Sequence, residues 1–165
     1  FSKIAFILLL IYGVSRFKPL IIVAIFEIID FFKNILKQAI PYIPIDFVFI
    51  LGITASYYYG FTYGLIIFIL GVLNRIVMSC IEARHISKAI RHIPLFLAAS
   101  FLREFNFFFV AVALLIINYI LKYWFKIAVH NVELDKVPYN IVNFFGGTIL
   151  FYFIYILYDY LPFLA

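Results

Sequence analysis

The sequence is poor in charge and in cysteine, and each scarcity excludes a class of protein. Charged residues make up 13% of the 165 residues, against about 25% in a soluble globular domain. The single cysteine, Cys80, cannot form an internal disulfide and cannot build a thiolate metal cluster. The sequence also lacks a nucleophile motif, a glycine-rich phosphate loop and an HExxH motif. We therefore expect a protein that is not an enzyme and that carries neither a cofactor nor a metal.

Apolar and aromatic side chains are abundant instead. Hydrophobic residues account for 67% of the chain and aromatic residues for 22%, whereas a soluble domain is about 45–50% apolar. The mean hydropathy is +1.14. This composition predicts an all-α fold, a polytopic transmembrane helical bundle in the lipid bilayer of a cell membrane or an organellar inner membrane. The length suits a single integral membrane domain over residues 1–165, without a separate soluble catalytic domain.

The stretch between Asp46 and Arg75 contains no charged residue. Its roughly 28 residues are too many for one span, because about 20 residues cross the hydrocarbon core of a bilayer. A Tyr-Tyr-Tyr-Gly sequence in the middle of the stretch can join two shorter helices. We therefore predict a helical hairpin over 44–80, with helices of roughly 45–59 and 61–80.

A stripe of glycines runs along the second helix of this hairpin. Gly60, Gly64 and Gly71 are predicted to lie on one face, since steps of four and seven residues return close to the same helical angle. Small residues in an apolar helix allow a neighbouring helix to approach closely. The stripe is therefore predicted to be a helix-packing face.

Prolines and apolar runs divide the chain into about six predicted spans. Pro19 suits the first turn of a helix, Pro94 is expected to kink another, and Pro138 opens the last helix. A short N-terminal segment, 1–15, precedes the first span. The segment that begins at residue 86 is either a span with a charged foot or an amphipathic helix at the membrane surface. The predicted spans are 19–38, 44–59, 61–80, 86–102, 105–124 and 139–161.

Lysine and arginine concentrate on alternate predicted loops, at 33–37, 75–91 and 122–136. The positive-inside rule places these loops in the cytoplasm or its organellar equivalent, and it places the Tyr57–Tyr59 tip of the hairpin on the opposite side. The net charge of +5 is therefore interpreted as a membrane-orientation signal. No nucleic-acid partner is expected.

Two carboxylates in the first predicted span are candidates for binding a solute or an ion. Glu27 and Asp30 are three residues apart and share a helical face. A charged residue at membrane depth costs several kcal/mol unless it is paired. Either the two acids face a polar cavity that binds a cation or a proton, or they pair with Lys33, Lys37 or Arg75.

Further polar residues lie in or near the apolar segments. Asp46 is either a helix N-terminal carboxylate stabilised by the helix dipole or an acid in a pocket. Buried amides either hydrogen-bond to neighbouring helices, at about 0.6–2 kcal/mol each, or line a pocket for a polar solute. The amides in question are Asn74, Asn106, Asn118, Asn140 and Asn143.

The histidines are not predicted to bind a metal. His85 and His92 are seven residues apart, which separates them by about 10.5 Å along a helix, too far for one ion. Together with Lys88 they are predicted to form a surface band that faces lipid headgroups or a partner subunit.

Aromatic residues mark predicted membrane interfaces. Tyr123 and Trp124 lie beside two lysines, as in the aromatic belts of membrane proteins. The cluster of Tyr57, Tyr58 and Tyr59 at the hairpin tip is either such a belt or a stacking site for a flat ligand.

Two stretches are similar to a known family. The hairpin sequence Phe-Ile-Leu-Gly-Ile-Thr-Ala-Ser-Tyr-Tyr-Tyr-Gly-Phe-Thr-Tyr-Gly resembles the second and third helices of the substrate-binding S-components of energy-coupling-factor transporters. Val137-Pro-Tyr-Asn-Ile-Val-Asn143 resembles the start of their sixth helix. The related rod-shape-determining membrane subunits of bacteria share the six-helix plan. The resemblance implies a bundle that captures a vitamin or a metal ion and docks on an ATP-hydrolysing partner.

Two functional classes follow for this small, non-catalytic membrane subunit. A solute-binding transport component for a small molecule or ion requires a closed polar cavity lined by several of the acids and amides. A structural or assembly subunit of a larger membrane complex requires a broad apolar face buried against other membrane subunits. The arrangement of the candidate residues in space discriminates between the two.

Overall fold

The computed structural model describes the backbone of residues 2–39, 46–77, 84–129 and 137–161, and the side chains of most of them. Within these ranges the chain forms six α-helices and no β-strand, as the all-α prediction requires. The helices are α1 (Ser2–Ala39), α2 (Phe47–Tyr58), α3 (Phe61–Val77), α4 (Arg84–Phe101), α5 (Phe107–Val129) and α6 (Val137–Tyr160).

Helix α1 is longer than the sequence predicts. It runs without interruption over 38 residues and contains Pro19 in its interior. The prediction of a separate N-terminal segment, 1–15, followed by a new helix at Pro19 is therefore wrong. Proline removes one backbone hydrogen bond from a helix, and the chain on both sides of Pro19 stays helical despite this loss.

Helices α2 and α3 form the predicted hairpin, and Gly60 makes the turn between them. Gly60 has a φ of 116°, a conformation that costs a residue with a Cβ atom free energy and that glycine adopts freely. Its N–H donates to the carbonyl oxygens of Ala55 and Ser56 at 3.1 and 3.2 Å, which closes the end of α2. Gly60 therefore belongs to the turn and not to the helix-packing face predicted for it.

The other two glycines of the stripe lie where α3 meets α2. A Cβ atom on Gly64 would be 1.8 Å from Ser56 Oγ and 2.8 Å from the carbonyl oxygen of Gly52. A Cβ atom on Gly71 would be 2.8 Å from Val48 Cγ2. The two helices can approach this closely only because both positions lack a side chain.

Helix α2 is the centre of the bundle. It contacts all five other helices, and every residue from Val48 to Ser56 is buried. Its sequence is apolar on all sides, as expected for a helix that is surrounded by others. The principal core packs Phe49 and Ile53 of α2 against Phe96 of α4, Leu114 of α5 and Phe151 of α6.

Helix α4 turns its polar side toward the bundle. Arg91 and His92 are 6% and 1% exposed, whereas Ile90 is 55% exposed. The predicted surface band is therefore wrong for His92, and the side chain of His85 lies outside the described residues. The amphipathic pattern defines two faces but not which of them points outward. Here Ile90 points outward, while Leu95, Phe96 and Ala99 further along the helix are buried in the core.

Within the described ranges, two helices are long and apolar enough to cross a membrane, judged by length and composition. They are the segments Phe107–Phe125 of α5 and Asn140–Tyr160 of α6. Phe47–Tyr58 and Phe61–Asn74 are apolar but shorter, and residues 44–45 and 78–80 of the predicted spans 44–59 and 61–80 lie outside the described residues.

Candidate functional site

Glu27 and Asn74 meet between α1 and α3. The Asn74 side-chain amide donates a hydrogen bond of 3.0 Å to Glu27 Oε2. The two residues lie in a shallow groove of about 270 Å³, whose other lining residues are Ile28, Phe31, Leu70 and Leu73. Glu27 Oε1 is buried and has no hydrogen-bond partner among the described residues. The side chain of Arg75, one of the predicted partners, lies outside the described residues.

Asp30 is paired within its own helix. Its side chain is 2% exposed, and Lys33 Nζ lies 3.4 Å from its Oδ1. The Lys33 ammonium also lies 5.8 Å from the centre of the Phe47 ring at the start of α2, in a cation–π geometry. One of the two predicted arrangements, pairing with Lys33, therefore holds for Asp30, while the side chain of Lys37 lies outside the described residues.

Asp46 directly precedes α2, and its carboxylate makes no side-chain capping bond there. Its Oδ2 instead accepts a hydrogen bond of 2.6 Å from Lys88 Nζ of α4, and Arg91 lies within electrostatic range. The carboxylate thus connects two helices that are far apart in sequence. Asp46 lies at the N-terminus of α2, the position on which one of its two predicted roles depends, and the contact with Lys88 is an additional role that the sequence did not indicate.

His92 lies in an aromatic surround deep in the bundle. Its ring centre is 5.0 Å from that of Phe49, 6.0 Å from that of Phe96 and 6.1 Å from that of Phe68. It is a core residue that packs α4 against α2 and α3. Among the described residues, no three side chains of the metal-ligating types come together.

The asparagines of α5 and α6 serve helix ends and helix contacts. Asn106 Oδ1 accepts a 3.0 Å hydrogen bond from the N–H of Phe108, which caps the start of α5. Asn140 accepts a 2.6 Å bond from Lys122 Nζ and donates a 3.0 Å bond to the Tyr123 hydroxyl, which joins α6 to α5. Asn118 is 7% exposed, and Asn143 is partly buried.

The tyrosines of the hairpin tip pack on one another and on α6. Tyr58 stacks on Tyr158 with ring centres 3.9 Å apart and an interplanar angle of 12°. The Tyr59 and Tyr158 hydroxyls are 2.9 Å apart and share a hydrogen bond. The face of Tyr58 that could stack on a flat ligand is thus occupied by a residue of the protein.

Tyr57 ties the hairpin tip to the turn between α4 and α5. Its hydroxyl donates to the carbonyl oxygens of Arg103 and Phe105, and Arg103 Nη2 donates to the carbonyl oxygen of Ser56 at 3.1 Å. The turn between α2 and α3 and the turn between α4 and α5 therefore meet at one end of the bundle. Of the other predicted interface aromatics, Tyr123 is half-buried, and Trp124 is 63% exposed.

The described candidates for solute binding do not all converge. Glu27, Asn74 and Asp30 lie near one another where α1 meets α3, and Asp46 lies at the start of α2. Asn106 lies at the N-terminal end of α5, and Asn140 lies at the contact of α5 with α6. Asp46 and Asn140 bind Lys88 and Lys122, which sequence reasoning did not single out as their partners. Since these partners are 42 and 18 residues away in sequence, no local pattern could have revealed them.

No family model, curated protein or solved structure matches this chain.

Proposed function

We propose that this chain is a non-catalytic integral membrane protein of about six helical spans and a subunit of a larger membrane complex. The observation that carries the proposal is an inverted distribution of side chains. Asp30 and His92 are each 1% exposed, whereas Phe101 and Phe109 are 77% and 71% exposed. In water such a surface would work against the dominant force of folding, whereas in a bilayer the apolar side chains face hydrocarbon and the polar ones are shielded from it.

The helix lengths support placement in a bilayer. Helices α3 and α4 have 17 and 18 residues, or about 26 Å each at 1.5 Å per residue, close to the roughly 30 Å of a hydrocarbon core. Helix α2 is shorter, with 12 residues. A short helix is tolerated at this position because α2 is enclosed by its neighbours.

The distribution of charge supports one orientation. Lys88 and Lys122 bind Asp46 and Asn140 at one end of the bundle, whereas the Tyr57–Tyr59 tip lies at the other end of α2. By the positive-inside rule, the end with Lys88 and Lys122 faces the cytoplasm or its organellar equivalent.

The separation of the polar candidates favours the assembly role over solute binding. A solute-binding subunit would need its acids and amides around one closed cavity, whereas Glu27, Asp46 and Asn140 are engaged with other helices at separate places. The exposed surface instead carries many large apolar side chains, such as Phe105, Phe145, Phe153 and Tyr160 at 60–78% exposure. Large exposed apolar patches are typical of protein–protein or membrane interfaces.

The experiment is extraction from native membranes followed by native mass measurement. We expect the chain to stay in the membrane pellet under alkaline carbonate and to elute, in a mild detergent, in a particle heavier than one chain plus its micelle. Release by carbonate would refute the membrane placement. Recovery as a monomer that binds one equivalent of a small solute would refute the assembly role and favour the transport role.

A further inference from the structure

The groove between α1 and α3 places a carboxylate on the outer surface of the bundle. Its walls Ile28, Leu73 and Phe31 are 55%, 47% and 43% exposed. In the proposed bilayer placement these side chains face lipid or another protein. The carboxylate of Glu27 therefore lies at the bottom of an opening with apolar rims.

Only one of the two oxygens of the Glu27 carboxylate accepts a hydrogen bond from the described residues. Asn74 donates to Oε2, while Oε1 is buried without a donor. Lys33, six residues further along the same helix, lies beside Asp30. Both oxygens of a carboxylate can accept hydrogen bonds, and an acceptor that is buried without a donor costs free energy. A donor that enters the groove from outside would remove this cost.

We propose that the groove receives a lysine or arginine side chain from a transmembrane helix of a partner subunit, which forms an interhelical ion pair with Glu27. The inference rests on the proposed function, since it names the chemistry of one contact of the complex. The aliphatic stem of the basic residue lies along Ile28 and Leu73, and its charged end meets the Glu27 carboxylate. Charged residues at membrane depth characteristically pair in this way.

Other occupants fit the groove less well. Calcium takes six to eight oxygen ligands and magnesium six, and the groove offers one carboxylate and one amide. A phospholipid headgroup would bring its anionic phosphate next to Glu27, with Asp30 one turn away. A basic side chain alone matches both the charge and the apolar walls.

The first test uses a defined probe in place of the partner. The purified full chain is reconstituted in phosphatidylcholine vesicles with a leucine-rich peptide of about 20 residues that carries one lysine at the depth of Glu27. Binding is measured by energy transfer from Trp124 to a label on the peptide. We expect Glu27→Gln to weaken binding about three- to thirtyfold, from about 0.6–2 kcal/mol per polar contact between membrane helices.

Three matched controls define the result. A peptide with methionine in place of lysine should bind the parent and the Glu27→Gln chain equally weakly. Glu104→Gln, at an exposed position in the α4–α5 turn, should leave lysine-peptide binding unchanged. Leu73→Lys, which supplies an ammonium group from the wall of the groove, should abolish lysine-peptide binding although Glu27 is intact. This variant tests the same contact without changing Glu27, in case Glu27→Gln disturbs folding.

A hydrophobic carbodiimide then locates the contact. It activates the Glu27 carboxyl, the peptide lysine forms an amide with it, and the water lost is taken up as the urea by-product. Mass spectrometry should find this amide at Glu27. An amide at Asp30 or Asp46 instead, or equal affinities of the lysine and methionine peptides, would overturn the inference. Those outcomes do not bear on the native mass of the complex, so the inference and the proposed function can fail separately.

Discussion

Gly64→Ala is expected to destabilise the bundle through the α2–α3 contact. The new Cβ atom would lie 1.8 Å from Ser56 Oγ and 2.8 Å from the carbonyl oxygen of Gly52. The serine hydroxyl can rotate away, but the Gly52 carbonyl belongs to the backbone of α2 and can move only with the helix. Overpacking of this kind costs about 1–3 kcal/mol, and the better helix propensity of alanine returns up to about 1 kcal/mol. We therefore expect a net loss of about 1–2 kcal/mol.

Ser56→Ala separates the two contacts. Ser56 Oγ is buried without a hydrogen-bond partner among the described residues, so its removal should leave stability unchanged or raise it by about 1 kcal/mol. In the double variant the Oγ contact is gone but the Gly52 contact remains. The Gly64 and Ser56 changes should therefore show a coupling energy of about 0.5–1 kcal/mol, within the range measured for residues in contact.

The assay is unfolding of the detergent-solubilised protein by added SDS, followed by far-UV circular dichroism for the parent, both single variants and the double variant. Gly147→Ala is the matched control, because its Cβ atom would be 3.2 Å from a flexible Leu115 methyl group and far from backbone. A Gly64→Ala variant as stable as Gly147→Ala would refute the close approach of α2 and α3. If Ser56→Ala restored the full stability of the Gly64→Ala variant, the Gly52 carbonyl oxygen would not contribute to the steric clash.

Three further changes test other contacts by the same unfolding assay. Gly60→Ala should cost about 1–2 kcal/mol, because alanine at a φ of 116° is strained. Lys88→Met should cost about 1–3 kcal/mol, because the ion pair joins side chains that are only 26% and 20% exposed and its loss takes a donor from the largely buried Asp46 carboxylate. Asn140→Leu should cost about 1–3 kcal/mol, because Lys122 loses an acceptor in a partly buried contact.

Each of these has a control or a contradicting outcome. Gly60→Asn should be milder than Gly60→Ala, since asparagine tolerates positive φ better. Lys88→Met combined with Asp46→Leu should be more stable than Lys88→Met alone, and no such recovery would mean that the two side chains are not coupled. Asn140→Leu at the stability of the parent would contradict the hydrogen bonds to Lys122 and Tyr123.

The helical content and the hairpin could be predicted from sequence because they depend on local properties. An uncharged stretch with Gly60 in its middle allows two helices and a turn, whatever surrounds them. The same reasoning failed at Pro19, where α1 continues. A local rule assigns proline to the start of a helix, but a helix can continue through a proline with the loss of one backbone hydrogen bond.

The direction of the polar face of α4 could not be predicted in the same way. The periodicity of the segment separates Ile90 from Lys88 and His92, and a surface helix in water would turn the lysine and histidine outward. The structure buries His92 among three phenylalanines and joins Lys88 to Asp46. Only the packing of α4 against α2 and α3 determines this orientation.

The sequence by itself determined the composition-driven properties: an all-α chain, apolar helices and positive charge on alternate loops. These follow from the side chains and their spacing, without reference to any distant residue. The tertiary structure alone decided that Gly64 and Gly71 meet Ser56 and Val48, and that Glu27 meets Asn74. Contacts between separate helices depend on how the helices pack, which brings together residues that no local pattern relates. The separation of the acids and amides, which favours assembly over solute binding, is a result of that packing.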